Sequence, residues 1–387
     1  MESFSYFQPT RICFGRGKIQ EAGELVLKYG KRCLLVTTPP RPSTGPGFER
    51  VKKILTEAGV EVIHFAGVNE NPTTEIVSAG AALTKEQRAD VVLGLGGGSS
   101  MDTAKAIAVE ATHPGTSWDY LFFRPTQPTA STLPIIAVST TSGTGSQVTQ
   151  VAVVTNSRER TKSALYHDLL FPKACIVDPE LMLTVPEHIT ASTGFDAFCH
   201  AFESTLHPKA SRYIQILALE AIGLVAKTLP GLLGHLDDPE ARTAMAWADT
   251  LAGLCIANAG VTLPHGVGMA ISGMYPHVLH GESLAIIYPA FTRFTWKYAV
   301  PQFATVGRLF NPDLANLSDE QAAEASCEAI DAFIKKIGMR ITLRDRNMPE
   351  REIAELARAS MVLPDYKANP RLATPEEVLE LIRASYT

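Results

Sequence analysis

Short apolar runs alternate with amphipathic segments over the first half of the chain. Apolar runs bounded by glycine or proline predict buried strands, and apolar residues repeating every three or four positions predict helices. We expect strands at Thr10–Gly15, Lys31–Thr38, Glu61–Ala66, Ala89–Leu95, Leu133–Val138, Val151–Thr155 and Ala174–Val177. Helices are expected between them at Lys18–Tyr29, Phe48–Glu57 and Thr74–Glu86. This alternation is typical of parallel βαβ units.

Helical periodicity dominates the second half of the chain. The pattern predicts helices at Arg212–Leu229, Pro239–Ala259, Gln302–Leu309, Asp319–Ile337, Glu350–Ala359 and Pro375–Ser385. Such amphipathic helices are typical of a bundle. A chain of 387 residues is also too long for one ordinary core. We therefore expect an α/β domain over residues 1–186 and an all-helical domain over residues 187–387.

Composition narrows the class of protein. The chain is 45% hydrophobic and 19% charged, as in a folded globular protein. Its net charge of −5 leaves no basic surface for nucleic acid. The start, Met1–Ser5, lacks the basic and apolar regions of a signal peptide, and we expect no membrane-spanning stretch. Six cysteines without C-x-x-C spacing predict buried free thiols in a cytoplasmic protein.

A glycine run ends the strand at Ala89–Leu95. It reads G-G-G-S-S-M-D-T-A-K over Gly96–Lys105, with Ser99 in the first turn of the following helix. Free backbone N–H groups at a helix N-terminus, without side chains in the way, form a site for an anion such as pyrophosphate. The alternative is a tight βα turn that needs glycine only for its backbone geometry.

A second polar glycine run, S-T-T-S-G-T-G-S over Ser139–Ser146, follows the strand Leu133–Val138. Two such loops at the carboxyl ends of neighbouring parallel strands would form a dinucleotide site. The alternative is a simple hairpin loop, because Val151–Thr155 follows as a strand. Neither glycine run has the P-loop spacing, so P-loop ATP hydrolysis is not supported.

Candidate metal ligands cluster after the predicted domain boundary. Asp196 and His200 are four residues apart, which places both side chains on one face of a helix. His265 and His280 each precede a glycine. One carboxylate and three imidazoles suit a divalent transition ion with an open position. The alternatives are a helix-surface pair and capping or core histidines. Glu203, one turn after His200, would orient that imidazole or form a surface salt bridge.

Taken together, the ordered motifs resemble the iron-containing (group III) alcohol dehydrogenases. These motifs are the two glycine runs, Asp178-Pro, G-F-D-A-F-C-H-A-F-E from Gly194, L-P-H-G from Leu263 and H-G-E-S-L-A from His280. The resemblance covers nearly the whole chain. It implies a Rossmann-like dinucleotide-binding domain, an all-helical metal-binding and substrate domain, and the architecture shared with dehydroquinate synthase.

By matching motifs, the resemblance implies roles for individual residues. The metal ligands fall on Asp196, His200, His265 and His280. The residues that would bind the cofactor are Thr38, Asn71, Gly97, Gly98, Ser99, Asp102, Thr140, Thr141, Thr144, Lys162 and Leu181. The implied metal is Fe²⁺, with Zn²⁺ or Mn²⁺ as alternatives, and the implied cofactor is NADP or NAD.

Three positions depart from the family pattern. Met269 stands where many members carry a histidine thought to assist proton relay, so no general base is assigned. The interval from His265 to His280 is one residue longer than expected, which makes His277 a competitor. We keep His280 because the residues after it continue the family pattern. Thr38 lies where members that prefer NAD often have aspartate.

The implied activity is oxidation of small primary alcohols or reduction of aldehydes, with the metal acting as a Lewis acid during hydride transfer. We expect no nucleic acid or membrane partner, and a homodimer or larger homo-oligomer. One alternative is a polyol oxidoreductase like glycerol dehydrogenase, whose usual ligand set lacks a second histidine on the helix. The other is a lyase like dehydroquinate synthase, which would need basic residues that the helix around Asp196 lacks.

Overall fold

The computed structural model describes residues 3–387, which form two compact units. The first contains residues 7–186 and 236–246, and the second contains residues 187–235 and 247–387 with the described residues before Phe7. The boundary expected after residue 186 is also where the first unit's main segment ends. Met1 and Glu2, part of the segment expected to lack a signal peptide, lie outside the described residues.

A six-stranded parallel sheet forms the centre of the first unit. Its strands are β1 (Arg11–Phe14), β2 (Arg32–Val36), β3 (Glu61–Phe65), β4 (Val91–Gly96), β5 (Ile135–Ser139) and β8 (Ala174–Val177), in the order β1-β8-β5-β4-β2-β3. The central strands are buried along their length because helices cover both faces, which explains their continuous apolar runs. The predicted α/β fold class is confirmed.

A separate antiparallel pair consists of β6 (Val151–Asn156) and β7 (Thr161–Tyr166). We did not predict β7. The alternative of a hairpin loop at Ser139–Ser146 is wrong, because β5 and β6 belong to different sheets. The loop after β5 therefore lies at the carboxyl edge of the parallel sheet, beside β4, where Gly96 is in register with Ser139.

Four helices connect the strands of the parallel sheet: α1 (Ala22–Leu27), α2 (Gly45–Glu57), α3 (Thr74–Glu86) and α4 (Gly98–Glu110). Helix α3 has the predicted bounds, and the Thr73 side chain accepts a hydrogen bond from the Ile76 backbone at its start. Helix α2 begins before the predicted Phe48, where Pro46 occupies the first turn. A short 3₁₀ turn precedes α1.

The second unit is all-helical. Its helices are α5 (Glu187–Leu206), α6 (Arg212–Leu232), α8 (Leu263–Met274), α9 (His280–Thr295), α10 (Val300–Phe310), α11 (Asp319–Lys336), α12 (Ile353–Ala359) and α13 (Pro375–Ala384), and α7 (Pro239–Asn258) ends in this unit. Helix α5 is buried on nearly every side from Thr190 to Leu206, so it lacks the one-sided pattern that predicts a surface helix. Its own Phe195 and Phe198 make tilted and edge-to-face ring contacts with each other and with Tyr288 of α9.

By length and composition alone, α6 could cross a membrane, with a mean hydropathy of 1.4 over 18 residues. The expectation that no stretch could span a membrane is therefore wrong for α6. Helices α7 and α8 meet the same criterion only together, as a pair bent by 102°. This is weak evidence for a membrane protein, because core helices pass the same test, and α6 packs against α5 and α10. All six cysteines are free and buried, as predicted.

Candidate metal centre

Helix α5 supplies two of the predicted ligands. Asp196 and His200 lie one turn apart on the same face, and they are 2% and 6% exposed. A carboxylate this deeply buried is costly unless a positive charge accompanies it. Burial raises the pKa of Asp196, but His200, His280 and His265 together outweigh burial and lower that pKa to about 2. The carboxylate is therefore ionised.

The other two predicted ligands open the helices α8 and α9. His265 lies in the first turn of α8, directly after Pro264, and His280 is the first residue of α9. His265 thus follows the end of α7 at Asn258 and already belongs to the next helix. Positions at helix starts hold side chains on rigid backbone.

The structure brings these four side chains together. One ligand atom from each of Asp196, His200, His265 and His280 lies within 4.8 Å of the others. The Nε2 atoms of the three histidines lie 3.6, 3.7 and 3.8 Å from Asp196 Oδ1. These distances are too long for hydrogen bonds. They are close to the separation of about 3.4 Å that neighbouring ligands have around one tetrahedral ion at ~2.1 Å.

Two buried atoms at the centre of this group lack a hydrogen-bond partner, namely Asp196 Oδ1 and His265 Nε2. Buried polar atoms are nearly always satisfied, so a buried carboxylate oxygen and an imidazole nitrogen that face each other without a hydrogen bond indicate a cation site. A carboxylate oxygen and imidazole nitrogens are donors that divalent transition metals accept. The four residues therefore fit the metal that the sequence motifs imply.

Two neighbouring residues settle questions about the ligand group. His277 is exposed, and its Nε2 contacts the backbone oxygen of Arg346 at 3.0 Å, so it lies outside the group. Met269, on α8 one turn after His265, is 9% exposed and offers no titratable group. The residue one turn after His265 on α8 is thus a methionine and offers no site for proton transfer.

Glu203 and Asp365 also lie at this centre. Glu203 is fully buried, so the expected surface salt bridge is wrong, and it contacts the imidazole of His265 at Nδ1, 2.8 Å away. Asp365 belongs to a short 3₁₀ turn at Pro364–Ala368, and its Cβ would lie 3.8 Å from a Cβ on Gly266. No motif marked Asp365 in the sequence, because only folding places residues 360–366 against α8.

The two predicted nucleotide loops contact each other at the edge of the parallel sheet. A Cβ on Gly98 would lie 2.7 Å from Thr144 Cγ2, and one on Gly97 would lie 3.2 Å from Thr141 Oγ1. The Thr140 backbone N–H donates to Gly96 at 2.9 Å. Side chains in the glycine run would clash with the second loop, which explains why glycines occur there.

Asp102 and Lys105 hold the second loop in place. Asp102 accepts hydrogen bonds from the Ser146 hydroxyl at 2.6 Å and the Val153 backbone at 3.1 Å. The fully buried Lys105 donates to backbone oxygens of Ser146, Thr149 and Val151 at 2.7–2.9 Å. Sequence reasoning missed Lys105, since a lysine on a helix usually reaches solvent. Burial lowers the pKa of Lys105 to about 8.

The remaining predicted cofactor residues lie in the same unit. Lys162, on β7, donates to Asn71 Oδ1 at 2.7 Å, and Asn71 has a left-handed backbone with φ of 53°. Ser99 is in the first turn of α4 and remains partly accessible. Thr38 is partly exposed in the loop after β2, and Leu181 packs partly buried against the core of the sheet.

Sequence profiles of known families match both halves of the chain. The profile of the iron-containing alcohol dehydrogenases matches residues 9–179, and the profile of the C-terminal domain of the Fe-containing alcohol dehydrogenase family matches residues 190–386. Together they cover nearly all of the chain, including the four candidate metal ligands and the two glycine runs.

Individual relatives extend over the same length. The NAD-dependent methanol dehydrogenase of Bacillus methanolicus is 32% identical over 98% of this chain and 99% of its own. The choline dehydrogenase of Bacillus subtilis is 35% identical over 96% of this chain and 92% of its own. A crystal structure of an archaeal halo-thermophilic alcohol dehydrogenase from a Red Sea brine pool superposes with a TM-score of 0.95, at 32% identity over 100% of this chain and 99% of its own. The chain belongs to the iron-containing alcohol dehydrogenase family, a family of NAD(P)-dependent oxidoreductases, and it carries that family's two-domain architecture together with a candidate metal site at Asp196, His200, His265 and His280.

Proposed function

We propose that the protein is a metal-dependent, NAD(P)-linked alcohol dehydrogenase and aldehyde reductase for small neutral primary alcohols. The observation that carries this proposal is the convergence of four ligand atoms around the unsatisfied Asp196 Oδ1. A divalent metal bound there supplies Lewis-acid polarisation of the alcohol or carbonyl oxygen. Asp196, His200, His265 and His280 would hold it through one carboxylate and three imidazoles.

The proposed metal is Fe²⁺, with Zn²⁺ or Mn²⁺ as alternatives. The donor set is too rich in nitrogen for Mg²⁺ or Ca²⁺, which prefer oxygen ligands. Imidazole and carboxylate together accept each of the three proposed ions, and the Lewis-acid role requires no change of oxidation state. The family's name supports iron as the first candidate.

We propose that the dinucleotide is bound by the two contacting loops. Gly97, Gly98 and Ser99 would bind the pyrophosphate at the start of α4. Thr140, Thr141 and Thr144 would line the second loop, which Asp102 and Lys105 hold in place. Asn71, Lys162, Thr38 and Leu181 complete the proposed set. A relative named as an NAD-dependent methanol dehydrogenase supports a nicotinamide cofactor.

The substrate proposal rests on charge near the ligands. Asp365 is partly buried, and burial raises its pKa to about 6, so it is mostly ionised at neutral pH. Within residues 3–387, no lysine or arginine forms an ion pair with Asp365, Glu203 or Asp196. An uncompensated carboxylate repels a carboxylated substrate, whereas a neutral substrate experiences no such repulsion. We therefore propose neutral alcohols and aldehydes over hydroxy acids.

The metal-dependent activity can be tested with His265→Ala. We expect this variant to keep its fold and to lose both bound metal and turnover of butanal, followed by NAD(P)H absorbance at 340 nm. His235→Ala, on an exposed loop, serves as the matched control and keeps both properties. Stoichiometric metal with full activity in His265→Ala would contradict the assignment.

The substrate class can be tested with two four-carbon aldehydes. The ratio of kcat/KM for butanal to that for 4-oxobutanoate should exceed about tenfold, since 1.4 kcal/mol of repulsion suffices for that factor. Asp365→Asn should lower the ratio, and the exposed Glu376→Gln should leave it unchanged. Higher efficiency on 4-oxobutanoate in the unmodified protein would refute the substrate proposal.

A further inference from the structure

Glu203 lies one turn after His200, on the face of α5 that carries the candidate ligands. Its side chain is 0% exposed, although it is not one of the four ligands. A fully buried carboxylate costs several kcal/mol unless its oxygens are satisfied and its charge is balanced. The contacts of this side chain therefore need an explanation.

Each oxygen of Glu203 contacts two donors. Oε1 lies 2.8 Å from His265 Nδ1 and 3.3 Å from the Tyr288 hydroxyl. Oε2 accepts from the Thr262 backbone N–H at 2.8 Å and from the Thr262 hydroxyl at 3.2 Å. An ionised carboxylate has about four acceptor positions, and all are used here. Because the carboxylate can only accept, His265 carries its hydrogen on Nδ1 and turns the lone pair of Nε2 toward Asp196.

The same part of α5 holds the turn between α7 and α8. The Ser204 hydroxyl donates to the Gly260 backbone oxygen at 3.1 Å. Gly260 has φ of +104°, and a Cβ there would lie 3.2 Å from His207 Nε2. Helix α5 therefore carries two ligands itself and also sets the position of the turn that leads to the third, His265.

We propose that Glu203 is a positioning residue for the metal, orienting His265 and supplying a buried negative charge that the bound cation balances. The inference rests on the metal site of the proposed function. Apart from His265, the partners of Glu203 are neutral hydroxyl and amide donors, which satisfy its oxygens without neutralising its charge. A cation held by His265 would be separated from that charge by the imidazole ring.

The test is the metal affinity of Glu203→Gln, measured for Zn²⁺ by competition with a chromophoric chelator. The amide keeps the size of the side chain but places an NH₂ group against donors. We expect a loss of about 10- to 100-fold in affinity, the usual cost of removing the partner of a ligating histidine. The visible spectrum of the Co²⁺-loaded variant should also change, because the ring of His265 loses its orientation.

Two variants keep the test decisive. Glu187→Gln removes the same charge from the exposed start of α5 and should leave affinity unchanged. Thr262→Val removes one hydroxyl donor to Glu203, so it should weaken metal affinity, though by less than the factor expected for Glu203→Gln. This variant tests the inference by itself if Glu203→Gln does not fold. Unchanged metal affinity with a lowered Tm of the metal-free protein would show a merely structural role and overturn the inference. A parent protein that binds no divalent ion would overturn the proposed function instead.

Discussion

Two buried charged residues, Lys105 and Asp196, differ in whether the surrounding protein supplies their hydrogen-bond partners. Lys105 Nζ lies within hydrogen-bond distance of three backbone oxygens and two hydroxyls, so the protein itself satisfies its donors, and Asp102 is the nearby opposite charge. Asp196 Oδ1 faces the Nε2 atoms of three histidines, all beyond hydrogen-bond distance, and has no hydrogen-bond partner. The same degree of burial thus indicates a structural role for the lysine and a metal-binding role for the aspartate.

The choice between His280 and His277 is testable at this scale. His280→Ala should lose metal and lower kcat/KM by roughly 100-fold or more, since even an outer partner of a ligand is worth 10- to 100-fold. His277→Ala removes only a contact to the Arg346 backbone and should have a mild effect. Metal analysis and a steady-state assay on both variants would show the opposite ranking if the wrong histidine had been chosen.

Cofactor preference depends on the loop after β2. An acidic residue at this point would bond the adenine ribose and repel a 2′-phosphate, but Thr38 stands there. Arg41 is exposed and forms an ion pair with the exposed Glu70 at 3.8 Å. An exposed pair of this kind is weak, so Arg41 can exchange it for a bidentate contact with a phosphate. We expect NADP(H) to be accepted and modestly preferred, and Thr38→Asp to shift the preference toward NAD(H).

The measurement is kcat/KM with both cofactors in the parent protein and in Thr38→Asp. Glu376→Gln, which is remote in sequence and exposed, controls for a change of charge. The interpretation of the loop fails if the parent already uses NADH more than about tenfold better and the substitution changes nothing.

At the scale of elements, the metal centre depends on the close approach of α9 to α5. A Cβ on Gly281 would lie 2.0 Å from the backbone oxygen of Ser192, a contact that no side chain can relieve. Gly281 follows His280 directly, and Ser192 lies one turn before Asp196. The glycine therefore sets the distance between two ligands on different helices.

Gly281→Ala should push α9 away from α5 and weaken metal binding along with activity. The steric conflict costs about 1–3 kcal/mol in overpacked sites, and the separation of the ligands adds to the loss of affinity. Gly231→Ala on α6, where no atom lies within 4 Å of the new methyl group, should leave both unchanged. Chelator competition and a thermal melt compare the two, and equal metal affinity would contradict this role for Gly281.

At the scale of the whole molecule, each candidate site lies within one unit. The nucleotide-loop residues belong to the unit with the parallel sheet, and the metal-site residues belong to the helical unit. The metal site links helices α5, α8 and α9, whose ligands are far apart in the sequence. A bound ion therefore adds cross-links to the helical unit.

Metal loading should raise the Tm of the protein. Binding at a free concentration 100 times Kd stabilises the folded state by about 2.7 kcal/mol, which corresponds to a shift of a few degrees. Differential scanning fluorimetry before and after chelation measures the shift. Asp196→Asn, which lacks the charged ligand, should show none, and an equal shift in that variant would indicate metal binding elsewhere.

Much of the element pattern was predictable because local sequence encodes it. The bounds of α3 were exact, and the spacing of Asp196 and His200 placed both on one helix face. Helix α5 was foreseen only around those two residues, since burial on all sides removes the amphipathic signal. Strand β7 was missed, and the position of β8 between β1 and β5 depends on pairing between distant segments.

By itself, the sequence determined the alternation of strands and helices, the glycine runs at two strand ends, and a set of residues able to ligate a metal. Only the tertiary structure decided that His280 joins the group while His277 does not, that Glu203 bonds His265, and that Asp365 approaches α8. The physical reason is that periodicity specifies which side of an element is buried, whereas packing among distant elements specifies which buried side chains meet.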